Sequence, residues 1–254
     1  KTGSWLYDSI FNKILPLGDE VILCPAHGAG SVCASAIAER EMTTVGIERK
    51  LNPKLQVDNK EEFIELVGKM LEYPPYFENM EESNLTGREL LANHQKPAAL
   101  SAAEFAEAMD NEDTFIIDVR MEVSYASAHV PGSISIPLQN LPSFVGWFIP
   151  TGAKILLVTE GEYPEKAIRD LYRTGYDNIL GYLGGGIINW HMAGKKSESV
   201  KTVTVDKLCN LLDTESGKHF ILDIRSEDEL EEEGEIQDAE NIHLTQLPEH
   251  YDQL

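Results

Sequence analysis

Between residues 98 and 196 the apolar positions fall into two alternating rhythms. FIIDV at 115–119 and ILLV at 155–158 are apolar almost throughout, as expected of parallel strands covered on both faces. Between such runs the spacing turns helical. Ser101 and Glu104 make a capping box ahead of Phe105, Ala108 and Met109 on one face. A second helix is predicted from Pro164 to about Arg173, with Gly175 as its C-cap residue. A strand at 178–182 and a glycine turn at Gly184, Gly185 and Gly186 precede a last apolar stretch at 187–191. The pattern predicts a small doubly wound α/β domain over residues 98–196, built on a parallel sheet.

The rhythm then echoes. FIIDVR at 115–120 recurs as FILDIR at 220–225, and HVPGSISIPLQNLP at 129–142 recurs more loosely as EIQDAENIHLTQLP at 235–248. Thr204 can cap a helix carrying Leu208, Leu211 and Leu212, and FILDI is expected to be another buried parallel strand. Residues 197–254 therefore read as the N-terminal half of a second copy. Half a module cannot bury its sheet, so the chain is expected to stop short of its natural end. Unpaired strand edges leave domain exchange, and hence a homo-oligomer, open.

The first hundred residues have a different pattern. Leu6, Ile10, Phe11 and Ile14 have helical spacing, and EVILCPAHGAGS follows as strand and glycine loop. Asp58 and Glu61 form a capping box for a helix bearing Phe63, Leu66, Val67 and Met70. Residues 72–87 lack periodicity and read as an extended arm. The expected boundaries are residues 1–72 for a first domain part, 73–97 for a linker arm, 98–196 for the complete α/β unit and 197–254 for the half copy.

Composition narrows the function classes. A net charge of −22 opposes binding to nucleic acid or anionic lipid. Much of that charge lies in 226–240, which reads as a solvated acidic helix and loop. No apolar run reaches the roughly 20 residues that span a bilayer, and no signal-peptide pattern opens the chain, so a cytoplasmic protein is expected. Cys24, Cys33 and Cys209 match no disulfide framework or C-x-x-C site, which suits a reducing compartment, and each reads as a small buried hydrophobe. The absence of an initiator Met suggests a portion of something longer.

The order FIIDVR, AHVPGSISIPL, strand, loop, helix and GYDNILGYLGGGIINW resembles the rhodanese-like domain across the whole 98–196 unit. In active members the resemblance implies a C-x-x-G-x-R loop, whose thiolate accepts a sulfane sulfur within backbone N–H groups and Arg at a helix start. Counting back from Gly175 places Gly161 on the loop glycine and Val158 where the Cys would stand, and a one-residue shift places Thr159 there. Glu162 and Tyr163 replace the arginines, and Glu160 and Glu165 add negative charge. Neither register supplies a thiol, and a Thr hydroxyl has no His in the loop to activate it. No catalytic residue is therefore expected in the degenerate loop Val158, Thr159, Glu160, Gly161, Glu162. Asp118 and His129, tempting as a pair, are expected to brace the fold, and the Gly184, Gly185, Gly186 run lacks dinucleotide-loop spacing.

SWLYDSIFNKILPLGDEVILCPAHGAGSVC, TTVGIERKLNP and PPYFENMEESNLTG resemble the C-terminal end of metallo-β-lactamase-fold proteins of the glyoxalase II and persulfide dioxygenase kind. The resemblance implies an αββα domain and makes His27 the single metal-ligand candidate, at the end of a strand before a glycine turn. H-x-H-x-D-H and the other ligands do not occur in this sequence, so the chain alone is expected to hold no cofactor, with iron, or zinc in the alternative, belonging to the complete protein.

The order of parts is similar to multidomain persulfide dioxygenase and sulfurtransferase proteins, with a low-molecular-weight persulfide as substrate. A glyoxalase II-like two-metal hydrolase acting on a thioester, and a rhodanese-like interaction module, are the alternatives. In the leading reading this chain is a central, linking portion, catalytically silent alone.

Overall fold

A computed structural model of the chain describes residues 2–25, 42–68, 75–87, 96–214 and 218–251. The fold divides into two compact units, Lys1–Tyr73 and Pro74–Leu254.

The first unit holds the helix predicted at 6–14, but it begins earlier. Helix α1 (Thr2–Ser9) runs on through a π-helical turn at Ile10–Ile14 and a 3-10 turn at Leu15–Leu17. Strand β1 (Ile22–Leu23) pairs antiparallel with β2 (Thr43–Thr44), which leads into α2 (Val45–Leu51) and α3 (Lys60–Val67). Asn59, not Asp58, caps α3: its side chain accepts from Glu62 N at 2.9 Å, and the Glu62 carboxylate reaches back to Asp58 N at 2.8 Å. The cap sits one position later than expected, and the Glu62 carboxylate returns to the residue before it, so the reciprocal box is not closed on the N-cap itself. Phe63 is buried and meets the Tyr7 and Phe11 rings edge-on, each at 5.5 Å. Leu66, expected on the same inner face, is exposed.

In the second unit, residues 76–86 form helix α4 (Tyr76–Thr86) where an extended arm was expected. Tyr76, Phe77 and Met80 pack on the sheet-covering core that follows, so tertiary contact supplies what local periodicity lacks. Strand β3 (Ala98–Leu100) then opens a five-stranded, all-parallel sheet with β4 (Thr114–Asp118), β5 (Ser133–Ser135), β6 (Lys154–Val158) and β7 (Ile179–Leu183), in the order β3-β7-β6-β4-β5. The helices that follow the five strands in turn are α5 (Ala102–Met109), α6 (Glu122–Ser127), α7 (Leu141–Phe148), α8 (Glu165–Thr174) and α9 (Gly186–Met192). The Ser101/Glu104 capping box forms as predicted, and Gly175 ends α8 in the left-handed region at φ 95°.

The period-two alternation of the strands sorts the core into two layers. Ile117, Ile155 and Leu157 join α7 and α8 on one face, while Ile116, Leu156 and Val158 join Phe105 of α5 and Trp190 of α9 on the other. Both faces are covered, so the doubly wound parallel sheet read from the sequence is what forms.

The second copy repeats the local pattern with far less support. Helix α10 (Val205–Thr214) is capped by Thr204, with Lys207 N at 3.3 Å from its hydroxyl, and strand β8 (Leu222–Asp223) pairs parallel with β9 (Glu240–Asn241). Helix α11 (Glu227–Glu233) carries the acidic run, and α12 (Leu247–His250) follows a 3-10 turn at Leu244–Gln246. The FILDI stretch is not the buried strand expected: only two residues pair, Phe220 is 63% exposed and Ile224 42%. Among the described residues, this half-module has no counterparts of β6 and β7 flanking β8. No helix among the described residues is long and apolar enough to cross a membrane.

Candidate functional site

The loop after β6 lies at the C-terminal end of the sheet, where ligands of open α/β folds bind. Val158 is the last paired residue of β6, opposite Asp118, and its side chain is fully buried in the layer beneath α5 and α9. It faces away from the loop. Alternation turns the next residue, Thr159, toward the α7 and α8 side, into a cleft of about 270 Å³ lined by Val119, Leu138, Thr159, Glu162, Tyr163 and Glu165 among others.

Thr159 is the residue the loop closes around. Its hydroxyl donates to Glu162 O at 3.0 Å and accepts from Gly161 N at 3.0 Å, and the residue is only 2% exposed. A backbone N–H that could otherwise point at a bound anion is thereby satisfied within the loop. With Thr159 at the position of the rhodanese Cys, the interval to Gly161 is T-x-G, one residue shorter than C-x-x-G. The ungapped count from Gly175 points instead to Val158, whose side chain lies in the core. Glu160, Glu162 and Glu165 are exposed around the loop, and Tyr163 stands edge-on to Tyr182 at 5.8 Å.

The glycine run has a packing role. A side chain at Gly186, which sits at φ 60°, would come within 2.8 Å of Thr159 O, and one at Gly161, at φ 120°, within 3.1 Å of Gly185 C. The turn entering α9 and the loop entering α8 pass backbone against backbone, and only glycine permits this.

Asp118 and His129 do not pair. Asp118 takes a bidentate pair from Arg120, with Nη2 at 2.6 Å and Nε at 2.9 Å, and Arg120 N adds a bond at 3.1 Å. The same guanidinium donates to Ala128 O at 2.8 Å, tying the strand end to the end of α6. The Asp-x-Arg clamp was missed in the sequence, although the recurrence of D-x-R in both copies signalled it. His129 Nδ1 lies 2.9 Å from Tyr125 O, its ring stacks on Tyr125, and its backbone bridges to Glu198. Both residues brace the fold.

His27 and Cys33 lie outside the described residues. Cys24 and Cys209 are exposed free thiols, not the buried hydrophobes expected, and neither lines the cleft. Among the described residues no group of three or more His, Cys, Asp or Glu is arranged to hold a metal ion. The cleft lining contains no thiol and no imidazole to serve as nucleophile or base.

Comparison with known proteins fits this geometry. Residues 101–193 match the family described as the Rhodanese-like domain. A tRNA uridine(34) hydroxylase of Bacillus cytotoxicus is 30% identical over 115 residues, covering 43% of this chain and 34% of that protein. The adenylyltransferase and sulfurtransferase uba4 of Ogataea parapolymorpha is 31% identical over 72 residues, covering 28% of this chain and 18% of that one. This chain thus spans about a third or less of these relatives. The crystal structure of a metallo-beta-lactamase from Staphylococcus aureus subsp. aureus COL superposes with TM-score 0.57 at 27% identity, covering 71% of this chain and 50% of that one. Residues 101–193 are a rhodanese-like domain, carried in a chain whose wider likeness is to a metallo-beta-lactamase structure.

Proposed function

We propose that this chain is the central, linking portion of a sulfur-metabolising metallo-β-lactamase and rhodanese fusion, and that its rhodanese-like domain does not carry sulfur. The observation behind this reading is Thr159: the side chain at the head of the loop is a hydroxyl already bonded to Glu162 O and Gly161 N, in a loop flanked by carboxylates. A hydroxyl already engaged as both donor and acceptor is a poor acceptor of sulfane sulfur, and this carries the reading, since Glu162 and Glu165 share the cleft lining with Lys166 and Arg169. The domain then serves packing and spacing.

The likeness to the Staphylococcus aureus structure reaches well beyond the residues matched as rhodanese-like, which supports placing both parts in one protein. In this reading the complete protein is an iron-dependent persulfide dioxygenase with sulfurtransferase activity, and His27 contributes to the metal centre together with ligands this sequence does not contain. The hydroxylase relatives suggest a tRNA substrate, but a net charge of −22 works against that polyanion.

The test is to give the full chain thiosulfate and cyanide, and separately a low-molecular-weight thiol persulfide with ferrous iron. No thiocyanate, oxygen uptake or sulfite is expected. Thiocyanate formation would overturn the silent-loop reading, and oxygen uptake with sulfite release would overturn the silence of the chain as a whole.

A further inference from the structure

Helix α7, LPSFVGWF, is apolar around almost its whole circumference, as expected of a helix with neighbours on several sides. One neighbour is α8, its partner in covering the sheet. A second is α4. The Tyr76 ring lies against Gly146, where a methyl group would overlap it, and the Tyr76 hydroxyl donates to Pro142 O at 2.9 Å. Pro142 and Gly146 are four residues apart and share one face, so a single aromatic side chain spans that face. Glycine weakens a helix interior, and here it sits at the one position where the ring needs the room. The third neighbour is the Leu244–Gln246 turn of the second half-module. That turn opens LTQLPEH, the echo of LQNLPSF at 138–144, so the half-module brings to α7 the counterpart of the segment that begins α7 itself.

We propose that α7 is an internal coupling surface that holds the chain on both sides of the rhodanese-like domain, α4 on its Pro142 and Gly146 face and the 244–246 turn beside it, so that loss of one weakens the other. The physical basis is close packing: α7 is a short rigid element, and a shift that relieves a cavity at one of its contacts is transmitted to the others. The half-module is the responsive party, because its two-residue ladder gives it little stability of its own. This deepens the structural reading above. Sulfur acceptance at the loop would sink that reading and leave this one standing, while the following experiment decides this one alone.

Hydrogen exchange on the full chain with Tyr76→Ala is expected to accelerate the amides of Ile242, Leu244 and Gln246 by about tenfold, the lower part of the usual coupling range. Amides of β4 and β6 should change much less. Coupling is reciprocal, so Leu244→Ala should accelerate amides in 76–86. Tyr76→Phe, which removes only the hydroxyl bond, should show the same pattern at lower amplitude and decides the matter if Tyr76→Ala does not fold. Unchanged exchange at 242–246, or an equal rise at every amide, would overturn the proposal.

Discussion

Asp118 and Asp223 receive nearly the same hydrogen bonds in very different surroundings. Arg120 and Arg225 each bind their aspartate through Nε, Nη2 and the backbone N–H, and each guanidinium donates again to a carbonyl at the end of the next helix, Ala128 O at 2.8 Å and Gly234 O at 2.9 Å. The following strands repeat too: Ile136 N and Leu138 N reach Asp118 O and Val119 O, and Ile242 N and Leu244 N reach Asp223 O and Ile224 O, all at 3.0 Å. Yet the Arg120 side chain is 3% exposed and Arg225 31%, and Val119 is 7% exposed while Ile224 is 42%. A D-x-R strand end folds upon itself from local chemistry alone. Burial comes from the neighbouring strands, β6 above all, which the first module has beside its D-x-R strand and the second, as described, lacks.

The largest expected contrast follows directly. Asp118→Ala leaves a buried guanidinium uncompensated and should cost about 3–5 kcal/mol in chemical denaturation of the first module. Asp223→Ala should cost a small fraction of that, because Arg225 keeps water and Glu233, whose carboxylate is 3.4 Å away. Equal costs would break the comparison. Next in size, Ile117→Ala should destabilise by about 3 kcal/mol, whereas the equivalent Leu222→Ala, on a half-buried position, should cost about 1 kcal/mol.

Thr159→Val, which keeps the shape and removes the hydroxyl, should cost about 1–3 kcal/mol by leaving Gly161 N and Glu162 O without that partner. Hydrogen exchange at Gly161 should rise with it.

Smallest are the pH effects, with an alkaline limb in the first module and an acid limb in both. Burial, with the Tyr76 phenol nearby, pushes the Tyr176 hydroxyl from 10.0 up to about 12, and it donates to Ile149 O at 2.7 Å. Stability from this neutral group is complete below pH 10 and is lost as pH rises through about 12. Tyr176→Phe should flatten that limb of an alkaline denaturation curve. In the second module Arg225 side-chain and backbone bonds hold Asp223 below its ordinary 3.8, and Ser226 bonds hold Glu229 below its ordinary 4.5. Their contribution is present above those values and disappears as pH falls beneath them; Ser101 bonds hold Glu104 of the first module below 4.5 likewise, and the half-module, with two such groups and only a two-residue ladder, should loosen first in acid. Circular dichroism of the full chain at both extremes checks the pair.

The fold of 98–196 was legible because its signals are local: continuous apolar strands, the Ser101 and Glu104 box, and Gly175 at the left-handed cap. Helix α4 was not, since apart from the exposed Leu85 its apolar residues cluster in the first turn and a half, and its reason to form is Gly146, seventy residues on. At the loop, the absence of a thiol could be read directly, but not which side chain replaces it. Counting along the chain leaves Val158 and Thr159 both open, and only the side-chain directions distinguish them, Val158 into the core and Thr159 into the cleft.

Residue order alone showed a loop without a thiol after the ILLV strand and a D-x-R motif that recurs in a second stretch, though not the clamp that the motif makes. These depend on chemistry within a few residues and survive in any surroundings. Tertiary structure decided which clamp is buried, that Thr159 faces the cleft, and that α7 receives α4 and the 244–246 turn. Those outcomes depend on which distant side chains exclude water from a given site, and sequence spacing does not record that.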